Sequence, residues 1–148
     1  MIVKKCMSTK VSLGRPDMTL LEAAKQMRDG DFGFLPIEKN DRLVGIITDR
    51  DIAVRGVAEG YDPNKVKVSD IMSEKVLYCY EDQSLDEVAQ NLAENKIRRL
   101  PVLNRQKRLV GVLSLGDLAQ ANINPKQLEA TLGRISKHAN ESGGSMLQ

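Results

Sequence analysis

What the chain lacks narrows it first. No stretch approaches the roughly 18 uninterrupted apolar residues that a membrane span requires, and Met1-Ile2-Val3-Lys4-Lys5-Cys6 is not followed by the apolar core of a secretory signal. A cytoplasmic protein with no membrane partner is expected. Charge of one sign is also scarce: 22 Lys and Arg against 20 Asp and Glu leave a net +2, too little and too dispersed to neutralise the phosphates of nucleic acid. Nucleic acid is therefore not an expected partner. Cys6 and Cys79 lack CxxC spacing and His138 is the one histidine, so Cys and His alone cannot complete a four-ligand zinc site. Two reduced, partly buried thiols and no metal are expected. There is no Walker-type phosphate loop, no Rossmann glycine fingerprint, no G-x-S-x-G elbow and no histidine pair for a metal. Acid–base or nucleophilic chemistry is not assembled from these parts, so no enzyme is expected.

What is present is one unit written twice. At an offset of 65, Met7-Ser8 recurs as Met72-Ser73, Lys10-Val11 as Lys75-Val76, Asp17 as Asp82, Leu20 as Leu85, and Leu35-Pro36 as Leu100-Pro101. After a one-residue insertion the offset is 66, and Arg42-Leu43-Val44-Gly45 recurs as Arg108-Leu109-Val110-Gly111, Thr48 as Ser114, and Asp51 as Asp117. Self-similarity of this kind decides the architecture before any single residue is interpreted.

Local signals keep the same register. Thr19-Leu20-Leu21-Glu22 and Ser84-Leu85-Asp86-Glu87 both have the capping-box form that starts a helix. Leu20, Ala23, Ala24 and Met27 then share one helical face, as do Leu85, Val88, Ala89 and Leu92, while Gly30 and Asn95 are suited to a left-handed C-cap. Two apolar strands follow, joined by the polar turn Glu38-Lys39-Asn40-Asp41 in one repeat and Asn104-Arg105-Gln106-Lys107 in the other. A second helix is expected from Ile52 to Val57 and from Leu118 to Ala121, and a leading strand within Lys10 to Leu13 and Lys75 to Tyr80. The fold expected is mixed α/β (α+β): two βαββα repeats packed about a pseudo-two-fold axis, sharing one core because each alone is near the lower size limit of stability. The expected boundaries are 1–60 for the first repeat, 61–67 for a linker, 68–122 for the second repeat and 123–148 for a C-terminal helix and flexible tail.

Chemistry concentrates in Gly45-Ile46-Ile47-Thr48-Asp49-Arg50-Asp51 and its counterpart Gly111-Val112-Leu113-Ser114-Leu115-Gly116-Asp117. Each runs from a strand into a helix start, where a hydroxyl sits beside free N–H groups that favour phosphate. The carboxylate three residues on can accept hydrogen bonds from a ribose diol. The same spacing is also that of a capping box that holds its helix with no ligand, and spacing alone leaves both readings open.

The paired Met-Ser, the Leu-Pro strand and the Gly-x-x-[Thr/Ser]-x-x-Asp that closes each half resemble the two motifs of a tandem cystathionine-beta-synthase (CBS) domain pair, or Bateman module. The phrases from Thr48 to Arg55 and from Ile97 to Val102 are similar to those of stand-alone bacterial members. The resemblance implies a regulatory module without catalysis, with no required cofactor, that takes AMP, ADP or ATP in clefts between the repeats, NAD or S-adenosylmethionine ranking behind them. Thr48 and Asp51 would serve one site, Ser114 and Asp117 the other. Adenine would lie near Val11, Leu35 and Pro36, or near Val76, Leu100 and Pro101. Arg50, replaced by Gly116 in the second motif, and Arg98-Arg99, which stand where the first repeat has Gly33-Phe34, are candidate phosphate groups. The alternative is a ligand-free structural or protein-interaction module. A homodimer and an effector protein of unknown identity are the further expected partners, with Ile52, Val54, Val57, Leu118 and Ala121 as candidate interface positions.

Overall fold

The computed structural model describes residues 1–95, 97–121 and 132–133. Its contacts divide the chain into two units: Ser12–Val76, and Met1–Val11 together with the described residues from Leu77 onward. The mixed α+β architecture expected from the repeats is present in both.

In Ser12–Val76, Thr19 caps helix α1 (Leu20–Gly30) by accepting the Glu22 N–H at 3.1 Å. Leu20, Ala23 and Met27 form its buried stripe. The left-handed residue that ends it is Asp31 (φ 55°), not Gly30, and its N–H reaches the carbonyls of Arg28 and Met27. A short aspartate tolerates that conformation, so the helix runs to the glycine instead of stopping before it. Strands β1 (Phe34–Lys39) and β2 (Arg42–Thr48) pair antiparallel. Their turn is shorter than expected: Lys39 pairs with Arg42, and only Asn40 and Asp41, both left-handed, lie between. Such a two-residue turn matches the twist of the flanking strands. β2 passes directly into α2 (Asp49–Asp51), which continues as a π-helix over Ile52–Val57. Gly56 is buried there, so close to α1 that a side chain would strike Leu20.

The expected leading strand does not form at Lys10–Leu13. Gly14 makes the corresponding contact instead, a parallel bridge to Ile37, in a space where a Cβ would lie 2.6 Å from the Ile37 side chain. The unit is closed by α3 (Val68–Ile71). Val68, Ile71 and Met72 join Leu20, Ala23, Met27, Leu35, Ile37 and Ile47 in one core cluster. Each buried Val, Leu, Ile or Met among them contributes about 1.5–3 kcal/mol, a large fraction of what holds a unit of this size. The stretch 61–67 is hydrogen-bonded to the start of α1, through Leu21 N to Pro63 O and Leu20 N to Val66 O, both 3.0 Å. The chain leaves this unit later, between Val76 and Leu77.

The other unit repeats the plan. β3, only Cys79–Tyr80 of the expected Lys75–Tyr80, runs parallel to β4 (Arg99–Leu103), and β4 pairs antiparallel with β5 (Leu109–Ser114). Helices α4 (Leu85–Asn95) and α5 (Leu115–Gln120) complete it. A register shift follows Val102 in β4 as it follows Ile37 in β1, and the inserted residue is absorbed in the loop before β5. Arg105 in that loop lies over the Tyr80 ring at 4.1 Å and grips Asp82 with two nitrogens at 2.7 and 2.8 Å. Val3 is fully buried here with Cys79, Val88, Leu92, Leu100 and Leu113.

The repeat as written and the unit as packed are therefore out of step. Met7-Ser8 opens the first repeat, yet Ser8 exchanges two hydrogen bonds with Val112 of β5, at 2.9 and 3.0 Å. Met72-Ser73 opens the second, yet Ser73 does the same with Ile46 of β2, both at 2.9 Å. The buried side chains form two clusters, one inside each unit, where a single shared core was expected. Borrowed leading segments supply what a repeat of this length lacks. Leu118, expected at an interface, is fully buried, and Ala121 packs against the same cluster. The expected C-terminal helix and tail, 123–148, lie outside the described residues except for Leu132 and Gly133.

Candidate functional site

Both conspicuous motifs stand where the last strand of a hairpin becomes a helix. At the end of β2, Thr48 Oγ1 accepts the Asp51 N–H at 3.1 Å, and Asp51 Oδ2 accepts the Thr48 N–H at 2.9 Å. At the end of β5, Ser114 and Asp117 repeat the pair with the same two distances. The capping boxes are real. Each carboxylate spends one oxygen on its box, and each hydroxyl retains its proton to donate. Thr48 is only 5% exposed, whereas Asp51, Ser114 and Asp117 are half-buried.

The neighbouring strand supplies the rest. Phe34 stands opposite Thr48 in the register, and the Asp49 N–H donates to Gly33 O at 3.0 Å. In the other unit Arg99 stands opposite Ser114, and the Leu115 N–H donates to Arg98 O at 3.0 Å. The hairpin thus brings Arg98 and Arg99 beside Ser114. Arg99 is exposed; Arg98 is half-buried, and its Nε is buried with no hydrogen-bond partner among the described residues. A buried donor left unpaired is costly and asks for an acceptor. Arg50, half-buried, sits between Asp49 and Asp51.

The apolar candidates divide. Leu35 and Leu100 lie in the two core clusters, and Pro36 and Pro101 beside them are buried as well. Val11 and Val76 are half-buried and change places relative to the sequence grouping: Val76 belongs to the unit of Thr48, and Val11 to the unit of Ser114. Asp49 was not singled out from the sequence. Its carboxylate folds back over Gly33, filling the space of a Cβ there, while Oδ1 accepts the Arg50 N–H at 2.9 Å. The signal was the acid–base–acid run Asp49-Arg50-Asp51, which a motif of fixed Thr and Asp passes over. Among the described residues no group of three or more His, Cys, Asp or Glu is placed to hold a metal.

Two hydroxyl–carboxylate junctions, each closing a hairpin and each reinforced by a Met-Ser edge, coincide with a known domain. The model of the CBS domain family matches residues 3–56 and again 68–124. The chain belongs to the CBS domain family. It is similar to the CBS domain-containing protein YhcV of Bacillus subtilis, 37% identical over 145 residues, which are 98% of this chain and 91% of that protein. Hypoxic Response Protein I, solved with two coordinated zinc ions, shares 34% identity and a TM-score of 0.74, covering 82% of this chain and 98% of that one. The CBS domain pair of protein MJ0100, solved with 5′-methylthioadenosine and S-adenosyl-L-methionine, shares 30% identity and a TM-score of 0.71 over 82% of this chain and 94% of that one. No helix among the described residues of this CBS pair is long and apolar enough to cross a membrane.

Proposed function

We propose that this CBS pair is a regulatory module that binds adenosine-containing ligands of the AMP, ADP or ATP type at its two hydroxyl–carboxylate junctions and catalyses nothing itself. The observation that carries the reading is the duplicated junction, Thr48 with Asp51 and Ser114 with Asp117. A ribose diol donates to the carboxylate oxygen left over from each capping box, and the hydroxyl serves ribose or phosphate. The MJ0100 pair, solved with two adenosine compounds, supports the ligand class. Occupancy would be passed to an effector protein or to a second copy of the chain, provided one arrangement binds the ligand better. The surface offered to a second copy is the π-helix, where Val54 is 44% exposed and Val57 66%.

A thermal-shift panel of adenosine, AMP, ADP, ATP, NAD and S-adenosylmethionine tests the reading. A ligand at a hundredfold excess over its Kd stabilises the folded state by about 2.7 kcal/mol. One observation favours the second reading, an interaction module with no ligand: the Thr48 and Ser114 boxes are complete as helix caps without help. No shift with any member of the panel would establish that reading instead.

A further inference from the structure

The residues that form the two junctions differ in charge. The Thr48 turn carries Asp49, Arg50 and Asp51 with uncharged Gly33 and Phe34 on the facing strand; the Ser114 turn carries Asp117 with Arg98 and Arg99 on the facing strand. The first set sums to one negative charge and the second to one positive. We infer that Asp49 narrows the proposed ligand class at one of the two junctions: the Thr48 site excludes phosphate and takes an uncharged or cationic adenosine compound, and the AMP, ADP or ATP type is left to the Ser114 site.

The geometry goes further than the sum. Asp49 is not merely near the junction: its carboxylate folds over Gly33, where the lack of a side chain admits it, and holds the Arg50 N–H at 2.9 Å. A phosphate approaching that N–H meets an acceptor already bound to the donor, carrying charge of its own sign. In the other unit Leu115 replaces Asp49 and Gly116 replaces Arg50, so no carboxylate engages the equivalent N–H among the described residues. The residue matching Gly33 is Arg98, whose buried Nε has no acceptor among the described residues. The exchange of an acid for a leucine and of a glycine for an arginine acts in one direction, since each step removes an anion or adds a donor where a phosphate would lie. Arginine also offers phosphate a forked pair of bonds that a single charge does not.

This inference rests on the adenosine-ligand reading, and its test separates the two. Calorimetric titrations with 5′-methylthioadenosine and with AMP are made on the unaltered chain, on Asp117→Ala, which spares the Thr48 site, and on Asp49→Asn. A charge-assisted bond gained or lost changes affinity by about tenfold to a hundredfold. Asp117→Ala should bind 5′-methylthioadenosine at least about tenfold more tightly than AMP. Asp49→Asn, an exposed substitution that leaves both boxes intact, should acquire a second AMP site that the unaltered chain lacks. Arg98→Gln should weaken AMP about tenfold and leave 5′-methylthioadenosine unchanged. Equal affinities for the two ligands in Asp117→Ala, or no new AMP site in Asp49→Asn, would overturn the inference and leave the ligand reading standing. If the unaltered chain binds neither compound, the ligand reading itself falls and this inference with it. Should Asp117→Ala not fold, the stoichiometry of AMP on Asp49→Asn decides alone.

Discussion

The Met72 thioether lies where a side chain on Gly45 would begin, 2.6 Å from the position of its Cβ. The carbonyl of Ser73 is 2.9 Å from the same point. Met7 and Ser8 stand on Gly111 in the same way, both at 2.7 Å. The glycine in each Gly-x-x-[Thr/Ser] motif therefore serves the strand edge that the Met-Ser segment adds, and it does so from the middle of the strand.

Gly45→Ala should destabilise its unit by about 1–3 kcal/mol, the usual cost of overpacking, because one of the two clashing groups is backbone and cannot rotate away. Gly116→Ala, whose nearest neighbour is 3.5 Å from the added carbon, is the control. Denaturant midpoints at equal slope check the difference. A loss no greater for Gly45→Ala than for Gly116→Ala would show that the edge yields freely.

Ser114→Ala removes the side-chain acceptor for the Asp117 N–H and should cost about 0.5–2 kcal/mol. Ser114→Asp restores a cap acceptor and should recover most of that loss. It should not recover AMP binding, because a second carboxylate then stands beside Asp117. Melting curves with and without AMP separate the structural duty of this position from its ligand duty.

Burial pushes the Cys79 thiol up from 9.0 to about 12. Between those values the folded chain retains a proton that the unfolded chain releases, so stability is intact below pH 9 and declines as pH rises across the window. Denaturation of the unaltered chain and of Cys79→Ala at rising pH should show the steeper alkaline loss in the former. At neutral pH a thiol reagent should leave Cys79, 1% exposed, unmodified until the unit opens.

Light scattering should report twice the chain mass of 16.4 kDa. Val57→Glu, on the exposed π-helix face, should return the protein to one chain mass without lowering its melting temperature. A single chain mass for the unaltered protein at micromolar concentration would remove the self-association proposed for this face.

Much of this was legible in the sequence because the chain states its plan twice. Thr19 and Ser84 mark helix starts, Leu35-Pro36 and Leu100-Pro101 mark buried strands, and the Thr48 and Ser114 boxes form at the expected spacing. The exchange of Met7-Ser8 and Met72-Ser73 was not legible. A repeat at a fixed offset records which residues are equivalent and nothing about which copy each will touch. Asp31 is not legible as the helix end because glycine is the default left-handed residue, although aspartate is tolerated there too. The π-helix at Ile52–Val57 leaves no mark in apolar spacing, since it differs from an α-helix only in which carbonyl each N–H chooses. The place of Leu118 is not legible because an apolar helical residue looks alike on a core face and on an interface; only the packed unit tells them apart.

The exchanged Met-Ser segments set a timetable for synthesis. When residues 12–60 leave the ribosome their sheet edge is open and their core lacks Val68, Ile71 and Met72, so the first unit cannot close until translation has passed residue 73. Met1–Val11 is made before Ser12–Val76 and waits longer than it, because Ser8 finds Val112 only after β5 has emerged. Between the making of Ser8 and that of β5 the nascent chain thus carries backbone groups whose partners do not yet exist, the condition under which half-made chains adhere to one another. A cut at the repeat boundary would leave neither unit with all its segments.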